Sequence, residues 1–458
     1  MHDHRLLRPN MSEEFVMSST ETSIPGLQHD SGELVAIRLS GIRYAQAARF
    51  QPPEAIEPPE NLLSATAGHS KIPCQLPSRL ERVMSAPLVD LPQTEDCLLL
   101  DITLPPGNLN NCPVMVWFHG GGYFTGGGGL PWYRAEKLSQ EGGVIVVNVS
   151  YRLGVFGYLL LDGVCEGNLG LLDQIEAVRW VNRHIAKLGG DPGKVTLFGQ
   201  SAGGQSIAYL MAMDNIRPLF AHAILQSPPM GVHQDEAGAR AFGETFAAML
   251  GKDPLTASVE ELLAAQAQAL SVAKSTLVIG PIVDCYPLSA LPELQKAWSS
   301  CRVPTLLGWT ADEALPFLPL PEGEGLSTAH RRMLMRQQGE PLANSLFIDG
   351  TRQLAYTLAE AGQPVYLYSF AWQAPDSLWG ACHCIELPFL LGDESDWSTA
   401  PMLQGAVWTQ LERQGAALRS IWLEFARNAS AQEVEASVSR PWRLWSVSPC
   451  ASLSDVDL

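Results

Sequence analysis

Residues 194–205 of the chain, Lys194-Val-Thr-Leu-Phe-Gly-Gln-Ser-Ala-Gly-Gly-Gln205, decide its fold. The apolar run Val195–Phe198 is typical of a buried strand, and a helical pattern begins directly after Ser201. Between them lies the motif Gly-x-Ser-x-Gly, whose turn is so tight that only glycine fits two residues before and after the serine. We expect this turn to lift the Ser201 hydroxyl off the sheet edge. The first N–H groups of the helix should then point at the group that the serine attacks.

Apolar, strand-like runs alternate with helical patterns along most of the chain, and several runs are apolar on both faces, as strands covered by helices on two sides must be. The clearest strands are Pro113–Phe118, Val144–Ser150, Val195–Phe198, Ala221–Gln226, Val303–Gly308 and Val365–Phe370. One predicted helix ends at Gly189-Gly190. Its apolar face is formed by Leu171, Ile175, Val178, Val181, Ile185 and Leu188. The alternation predicts an α/β fold with a mostly parallel central sheet and helices on both faces.

Composition narrows the class of protein. The 458 residues carry a net charge of −18 without a run of Lys or Arg, which argues against nucleic acid as a partner. The segment Met1–Asn10 lacks the apolar core of a signal peptide, and no stretch reaches the ~20 apolar residues of a membrane span. We therefore expect a cytoplasmic protein that does not bind membranes. No long linker is visible, so we expect a single domain over residues 31–458, preceded by a poorly ordered segment, residues 1–30.

The cysteines favour thiols over a metal site. Nine is an odd number, and apart from Cys382 and Cys384 they are scattered, so reduced thiols are expected. The run Cys382-His383-Cys384 lacks the second ligand pair that a zinc site needs. We expect neither a metal nor another cofactor.

A serine hydroxyl is a poor nucleophile until a base takes its proton, so Ser201 predicts a histidine that a carboxylate orients. In α/β-hydrolases the chain order is Ser, acid, His, and four histidines follow Ser201. His222 lies within a strand, His233 comes too early for the order, and His330 lies in a charged helical stretch. Only His383 follows a strand by a loop, so it is the predicted base.

Carboxylates just past a strand are candidates for the acid. Asp312 and Glu313 follow the strand Val303–Gly308, and Asp284 follows the apolar run Val278–Val283. Position favours the Asp312/Glu313 pair without choosing between its members.

A glycine-rich loop supplies the second part of the predicted site. In Trp117-Phe-His-Gly-Gly-Gly-Tyr-Phe124, three glycines follow a strand and let the backbone approach a substrate with free N–H groups. Such main-chain donors form the oxyanion hole of acyl-transfer enzymes. His119 lies outside the chain order of the catalytic groups, and we expect it to be structural.

With these residues in hand, the chain resembles the type B carboxylesterases, the α/β-hydrolase family that includes cholinesterases and bacterial para-nitrobenzyl esterases. The resemblance runs from about Gly41 to Trp445. Besides the serine and glycine motifs, it is carried by Gly41-Ile-Arg-Tyr-Ala45, Arg49-Phe-Gln-Pro-Pro53, Glu95-Asp-Cys-Leu-Leu-Leu100, Tyr151-Arg-Leu-Gly154, Gly167-Asn-Leu-Gly-Leu-Leu-Asp-Gln174, Gly189-Gly-Asp-Pro192 and Gly380-Ala-Cys-His383.

The resemblance assigns roles residue by residue. It makes Glu313 the acid, because Leu306-Leu-Gly-Trp-Thr-Ala-Asp-Glu313 resembles the corresponding segment of the family. It makes the N–H groups of Gly121, Gly122 and Ala202 the oxyanion donors. The other residues that it assigns are a buried network beside the triad, formed by Gln200, Ser227 and Glu386, and two structural ion pairs, Arg49–Glu95 and Arg152–Asp173.

The chain also departs from the family. Gln200 stands where most relatives have glutamate, Ala314 replaces a glycine, and the 70-residue spacing from acid to histidine is short. Cys74 and Cys97 match a disulfide of secreted relatives, but we expect thiols. The segment between them lacks an aromatic residue, so the resemblance implies no cholinesterase-like site for a cation.

Together these features predict a serine carboxylesterase that hydrolyses small to medium uncharged carboxylic esters through an acyl-enzyme on Ser201. The predicted partner is a small-molecule ester, and the protein is expected to be a monomer or a homodimer. An amidase or acyltransferase with the same triad is the alternative, since the motifs do not separate acyl acceptors. A non-catalytic interaction protein is disfavoured because all three triad residues are present.

Overall fold

The computed structural model describes residues 35–60, 62, 70–87, 91–273, 279–321, 327–431 and 441–447. Nine strands form its main sheet. In chain order they are β1 (Ile37–Arg43), β2 (Leu99–Leu104), β3 (Cys112–Phe118), β4 (Ile145–Val149), β5 (Gly190–Gln200), β6 (His222–Gln226), β7 (Thr305–Thr310), β8 (Val365–Phe370) and β9 (Trp442–Ser446). The predicted segment of residues 1–30 lies outside the described residues.

The sheet is parallel in its middle and antiparallel at both ends. Its strand order is β1-β2-β4-β3-β5-β6-β7-β8-β9. All neighbours from β4 to β8 run parallel, whereas β1, β2 and β9 pair antiparallel with their neighbours. Three pairs of two-residue strands lie outside it: Ala45–Gln46 with Glu54–Ala55, Ile72–Pro73 with Gln93–Thr94, and Leu160–Leu161 with Cys165–Glu166.

Thirteen α-helices lie in the described part of the chain. They are α1 (Glu81–Met84), α2 (Glu136–Gly142), α3 (Gly154–Tyr158), α4 (Leu169–His184), α5 (Ala202–Met211), α6 (Glu236–Leu250), α7 (Val259–Val272), α8 (Leu291–Ser299), α9 (Thr328–Ala343), α10 (Asp349–Ala359), α11 (Leu387–Leu390), α12 (Glu394–Trp397) and α13 (Trp408–Asn428). A π-helical turn, Asn344–Ile348, joins α9 to α10. None of these helices is long and apolar enough to cross a membrane.

Helices cover both faces of the sheet, as predicted, and a separate apolar core lies under each set. Val114 and Val116 of β3 belong to the core that α4 and α10 cover. The alternate residues of the same strand, Met115 and Trp117, belong to the core that α2 and α13 cover. This division follows from the two-residue period of a strand, whose successive side chains point to opposite faces.

The predicted apolar face of α4 is confirmed. The six residues that form this face are at most 3 % exposed: Leu171, Ile175, Val178, Val181, Ile185 and Leu188. The last turn, Ile185–Leu188, is a 3₁₀ turn, and Gly189 ends it with φ +80°. Glycine adopts this left-handed conformation without a steric cost, which explains why the helix ends there.

One predicted strand is wrong. Within the run Val278–Val283, residues 279–283 form no strand, and Ile282 makes a single bridge to Gln234. Pro281 interrupts the run and has no N–H group for a ladder. Asp284 therefore does not lie at a strand end.

Candidate active site

The predicted serine turn has the strained geometry of a nucleophile elbow. Ser201 lies between β5 and α5 with φ 55° and ψ −121°, a conformation that costs a non-glycine residue energy. Its N–H donates to the carbonyl of Gln226 on the neighbouring strand, at 2.7 Å. Space explains the glycine at 203, because a Cβ atom there would lie 1.9 Å from the Phe118 carbonyl. The turn thus packs directly on the end of β3, where the glycine-rich loop begins.

The glycine-rich loop approaches Ser201 as the sequence predicted. A Cβ atom on Gly120 would lie 3.1 Å from the Ser201 Cβ and 2.4 Å from the Gln200 side chain. Gly121 and Gly122 have φ values of +107° and +63°, so the chain turns back on itself there. Ala202 is the first residue of α5. The N–H groups of Gly121, Gly122 and Ala202 donate no hydrogen bond to another described residue, which leaves them free for a ligand.

His383 and Glu313 are in direct contact. Nδ1 of His383 lies 2.5 Å from Oε2 of Glu313, and both side chains are buried. The other carboxylate oxygen, Oε1, accepts a hydrogen bond of 2.7 Å from the N–H of Thr310 at the end of β7. A carboxylate oxygen can only accept a hydrogen bond, so Nδ1 is the donor in this contact. The Asp312 side chain is bonded elsewhere, so within the Asp312/Glu313 pair Glu313 alone contacts the histidine.

Gln200 lies against the opposite edge of the imidazole. Its Nε2 atom is 3.0 Å from Nε2 of His383, and the Gln200 side chain is buried. An amide nitrogen can only donate, so Nε2 of the imidazole accepts this hydrogen bond. No hydrogen bond joins Ser201 Oγ to His383 among the described residues, so Gln200 holds the position at Nε2.

The other two residues of the predicted network, Ser227 and Glu386, are buried, and no hydrogen bond joins their side chains. Glu386 accepts a hydrogen bond of 3.3 Å from the Gln226 side chain, which in turn accepts one from the Trp422 indole. Burial, with a smaller contribution from the charge of Glu313, raises the pKa of Glu386 to about 7. The Ser227 hydroxyl has no hydrogen-bond partner among the described residues. Sequence reasoning missed Gln226, although a polar residue at the end of an apolar strand is a usable signal.

Aromatic rings cover the histidine. The ring of Phe347 lies 4.7 Å from that of His383, and the ring of Phe317 lies 5.6 Å away. Phe347 belongs to the π-helical turn, a feature that is frequent at functional sites. No sequence pattern pointed to either residue: Phe317 follows Glu313 by four residues without a motif, and Phe347 is remote from both Glu313 and His383 in sequence.

His119 and the other three histidines that follow Ser201 lie away from the proposed triad. His119 packs on the Tyr151 ring, 4.4 Å away, and burial lowers its pKa to about 4. Nδ1 of His222 lies 3.1 Å from the Ala426 carbonyl, and Nδ1 of His233 lies 2.8 Å from the Tyr209 hydroxyl. His330 is exposed on α9. None of the four contacts Glu313 or Ser201.

Both predicted ion pairs are confirmed. Nε of Arg49 donates to Glu95 at 2.8 Å. Arg152 binds the buried carboxylate of Asp173 through Nε and Nη2, at 2.8 and 2.7 Å. These pairs lie outside the contacts of the imidazole, in keeping with a structural role.

A cleft of about 380 Å³ opens beside the glycine loop and Gln200. One of its walls is the segment around α1, and the other includes Trp132 and Tyr133. Among the described residues, the ionisable groups that line it are the Glu81 carboxyl, the Tyr133 phenol and the Cys384 thiol. The remaining side chains that line it are Ile72, Gln75, Leu76, Pro77, Ser78, Leu80, Met84, Ala86, Pro87, Leu91, Gln93, Thr125 and Leu130. The cleft is therefore mainly apolar, and none of the described residues that line it carries a cationic side chain.

Two buried thiols, Cys382 and Cys384, flank His383 in the chain. Burial raises the pKa of the Cys382 and Cys384 thiols, which disfavours the thiolate. Cys74 and Cys97 are buried free cysteines that line one small cavity. Among the described residues, no group of three or more His, Cys, Asp or Glu side chains is arranged to hold a metal ion.

Comparison with known proteins places this site in a family. The carboxylesterase family model matches residues 23–340. The probable N-octanoylanthranilate hydrolase AqdA2 of Rhodococcus erythropolis is 39 % identical over 88 % of this chain and 91 % of its own length. The para-nitrobenzyl esterase of Bacillus subtilis (strain 168) is 35 % identical over 85 % of this chain and 86 % of its own.

Solved structures agree with these relatives. A thermophilic PNB esterase superposes with a TM-score of 0.75 at 29 % identity, covering 90 % of this chain and 91 % of its own. The α/β-hydrolase fold that the serine turn predicted is thereby confirmed. The chain belongs to the carboxylesterase family, and its activity is that of a carboxylic ester hydrolase.

Proposed function

We propose that Ser201, His383 and Glu313 form the catalytic triad of this esterase. Ser201 attacks the ester carbonyl, and His383 takes its proton and passes it to the leaving alcohol. Glu313 orients the imidazole and stabilises its positive charge. Gly121, Gly122 and Ala202 donate to the oxyanion, and water activated by His383 then releases the acid from the acyl-enzyme. The contact of 2.5 Å between Glu313 and His383, beside the strained turn of Ser201, is the observation that carries this proposal.

Gln200 takes part in the same proposal. The lone pair of Nε2 that must accept the serine proton also accepts the amide N–H of Gln200. The imidazole therefore exchanges this partner for Ser201 when a substrate enters, and such contacts commonly tighten only in the complex. Ser227 and Glu386 are proposed to support the triad as a buried polar group beside it, in which the Glu386 carboxyl is bonded to the Gln226 side chain.

The cleft supports an uncharged substrate. The leaving oxygen must lie near Nε2 of His383 to receive its proton, and Gln200, which contacts that atom, lines the cleft. The cleft therefore accommodates the alcohol part of the ester. Its apolar walls and lack of a cationic side chain favour an uncharged alkyl or aryl alcohol over an anionic one.

The triad is tested by replacing each member. Ser201→Ala, His383→Ala and Glu313→Gln should each lower kcat about 10³-fold or more while the protein stays folded. Combining Ser201→Ala with His383→Ala should not multiply the losses, because the two residues act as a unit. Retention of more than about a tenth of kcat by Ser201→Ala would exclude the mechanism.

Amide hydrolysis is the second candidate, and one relative favours it. The name of the 39 % identical Rhodococcus protein describes hydrolysis of an N-acyl compound. A matched pair of an ester and an anilide with the same acyl group separates the two activities. The ester is expected to react faster than the anilide, because an alkoxide leaves more readily than the amine of an anilide. Faster turnover of the anilide would instead make the protein an amidase.

We also propose a cytoplasmic location and a single-domain organisation for the protein. The free thiols Cys74 and Cys97, whose burial raises both pKa values, are compatible with a reducing, cytoplasmic compartment. We retain the interpretation of residues 31–458 as one domain and of the protein as a monomer or homodimer.

A further inference from the structure

Asp312 is a nearly buried carboxylate next to the proposed acid, and the mechanism does not use it. Its side chain is 4 % exposed. Arg336 of α9 binds both of its oxygens, with Nε 2.6 Å from Oδ1 and Nη2 2.7 Å from Oδ2. This two-point geometry is the most specific way in which a guanidinium can hold a carboxylate.

The same carboxylate binds the loop that carries the histidine. The N–H of Ala381 donates to Oδ2 of Asp312 at 2.8 Å, and the N–H of Asp312 donates back to the Ala381 carbonyl at 2.8 Å. Gly380 makes this approach possible, since a Cβ atom there would lie 2.3 Å from Oδ2. His383 follows Ala381 by two residues, so Asp312 fixes the backbone from which the imidazole projects.

Helix α9 holds the same loop at a second point. Arg332 donates to the Ser377 carbonyl and, through Nη1, to the Gln373 side chain at 2.8 Å. The charged stretch of residues 329–336 thus lies against the histidine loop through two arginines one helical turn apart. The loop after β7, which carries Glu313, and the loop after β8, which carries His383, are joined by Asp312 as well as by the triad contact itself.

We infer that Asp312, held by Arg336, is a positioning residue that sets the distance between Glu313 and His383. This inference rests on the proposed triad. Asp312 touches neither the substrate nor the imidazole, and acts through the backbone of Ala381. Its carboxylate accepts three N–H groups, two from Arg336 and one from Ala381, so a single side chain couples the helix to the histidine loop.

The test compares kcat and KM in variants of this pair, with each rate normalised to the concentration of titrated active sites. Asp312→Ala should lower kcat about 100-fold and leave KM within about threefold, because a small displacement of a catalytic group costs that much. Asp312→Asn keeps an acceptor for Ala381 and should recover about tenfold of that loss. Arg336→Met should lower kcat about threefold to tenfold, since the guanidinium is 45 % exposed and the Ala381 bond remains.

The double variant and a control separate positioning from general stability. Asp312→Ala combined with Arg336→Met should be at most about twofold slower than Asp312→Ala alone, because Arg336 acts mainly through Asp312 and its other bond, 3.1 Å to the Gln373 side chain, is exposed. The control is Arg240→Met on α6, whose 38 % exposed guanidinium pairs with Asp162 and Glu236. It should leave kcat unchanged.

Wild-type kcat in both Arg336→Met and Asp312→Asn would overturn the inference, and so would a loss that appears only in KM. If Asp312→Ala does not fold, Arg336→Met and Asp312→Asn decide the matter. An active Ser201→Ala variant would instead refute the proposed triad, so the two failures are distinguishable.

Discussion

Replacing Glu386 by glutamine should make the stability of the protein less dependent on pH. Burial raises the pKa of Glu386 from 4.5 to about 7. The folded state therefore binds a proton more tightly than the unfolded state. Its free energy of unfolding falls as the pH rises from about 4.5 to about 7. A pKa difference of about 2.5 corresponds to about 3 kcal/mol once the pH exceeds the folded value.

Most of this cost, about 2 to 3 kcal/mol, falls between pH 5 and pH 8. Glutamine keeps the oxygen that accepts from the Gln226 side chain but carries no charge. The stability of Glu386→Gln should therefore rise by about 2 to 3 kcal/mol relative to wild type between these two pH values.

Reversible urea unfolding at pH 5 and pH 8 measures the difference. The exposed Glu360→Gln serves as the control and should change stability equally at both values. An equal effect of Glu386→Gln at the two pH values would refute the reasoning, because it would mean that burial does not hold the proton on Glu386.

Two further predictions concern the active site and the cysteines. Gln200→Glu places a carboxylate about 3 Å from Nε2 of His383. Its negative charge favours the protonated ring, which cannot act as a base. The acidic limb of the plot of kcat/KM against pH should therefore move upward by several tenths of a pH unit. A limb that stays fixed or moves to lower pH would contradict the contact. Alkylation of the denatured protein should count nine free thiols, whereas seven would show that Cys74 and Cys97 form a disulfide.

Local sequence patterns were sufficient to predict those parts of the fold that depend on interactions between residues close together in the chain. The Ser201 turn, the apolar face of α4 and the end of that helix at Gly189 depend on steric limits and on helical periodicity, which a single sequence displays. Chain order then selected His383, and the structure brings it against Glu313. The choice between Asp312 and Glu313 needed the family resemblance, because adjacent carboxylates look alike until their partners are known.

Other features depend on contacts between segments that are far apart in sequence. The antiparallel edge strands β1 and β9 pair with β2 and β8, partners that lie more than 50 residues away in sequence. The aromatic cover of His383 by Phe347 and the wall of the cleft formed by Trp132 come from such segments. The run Val278–Val283 was misassigned because its composition suggested a strand while Pro281 prevented a ladder.

The most direct test of the account is covalent labelling of the nucleophile. A fluorophosphonate probe should add its mass to the peptide that contains Ser201, and the loss of esterase activity should follow the labelled fraction one to one. Labelling of His383→Ala should be slower by about 10³-fold or more, because the hydroxyl lacks its base. Labelling at another residue, or an unchanged rate in His383→Ala, would contradict the assignment of Ser201 and His383 as nucleophile and base.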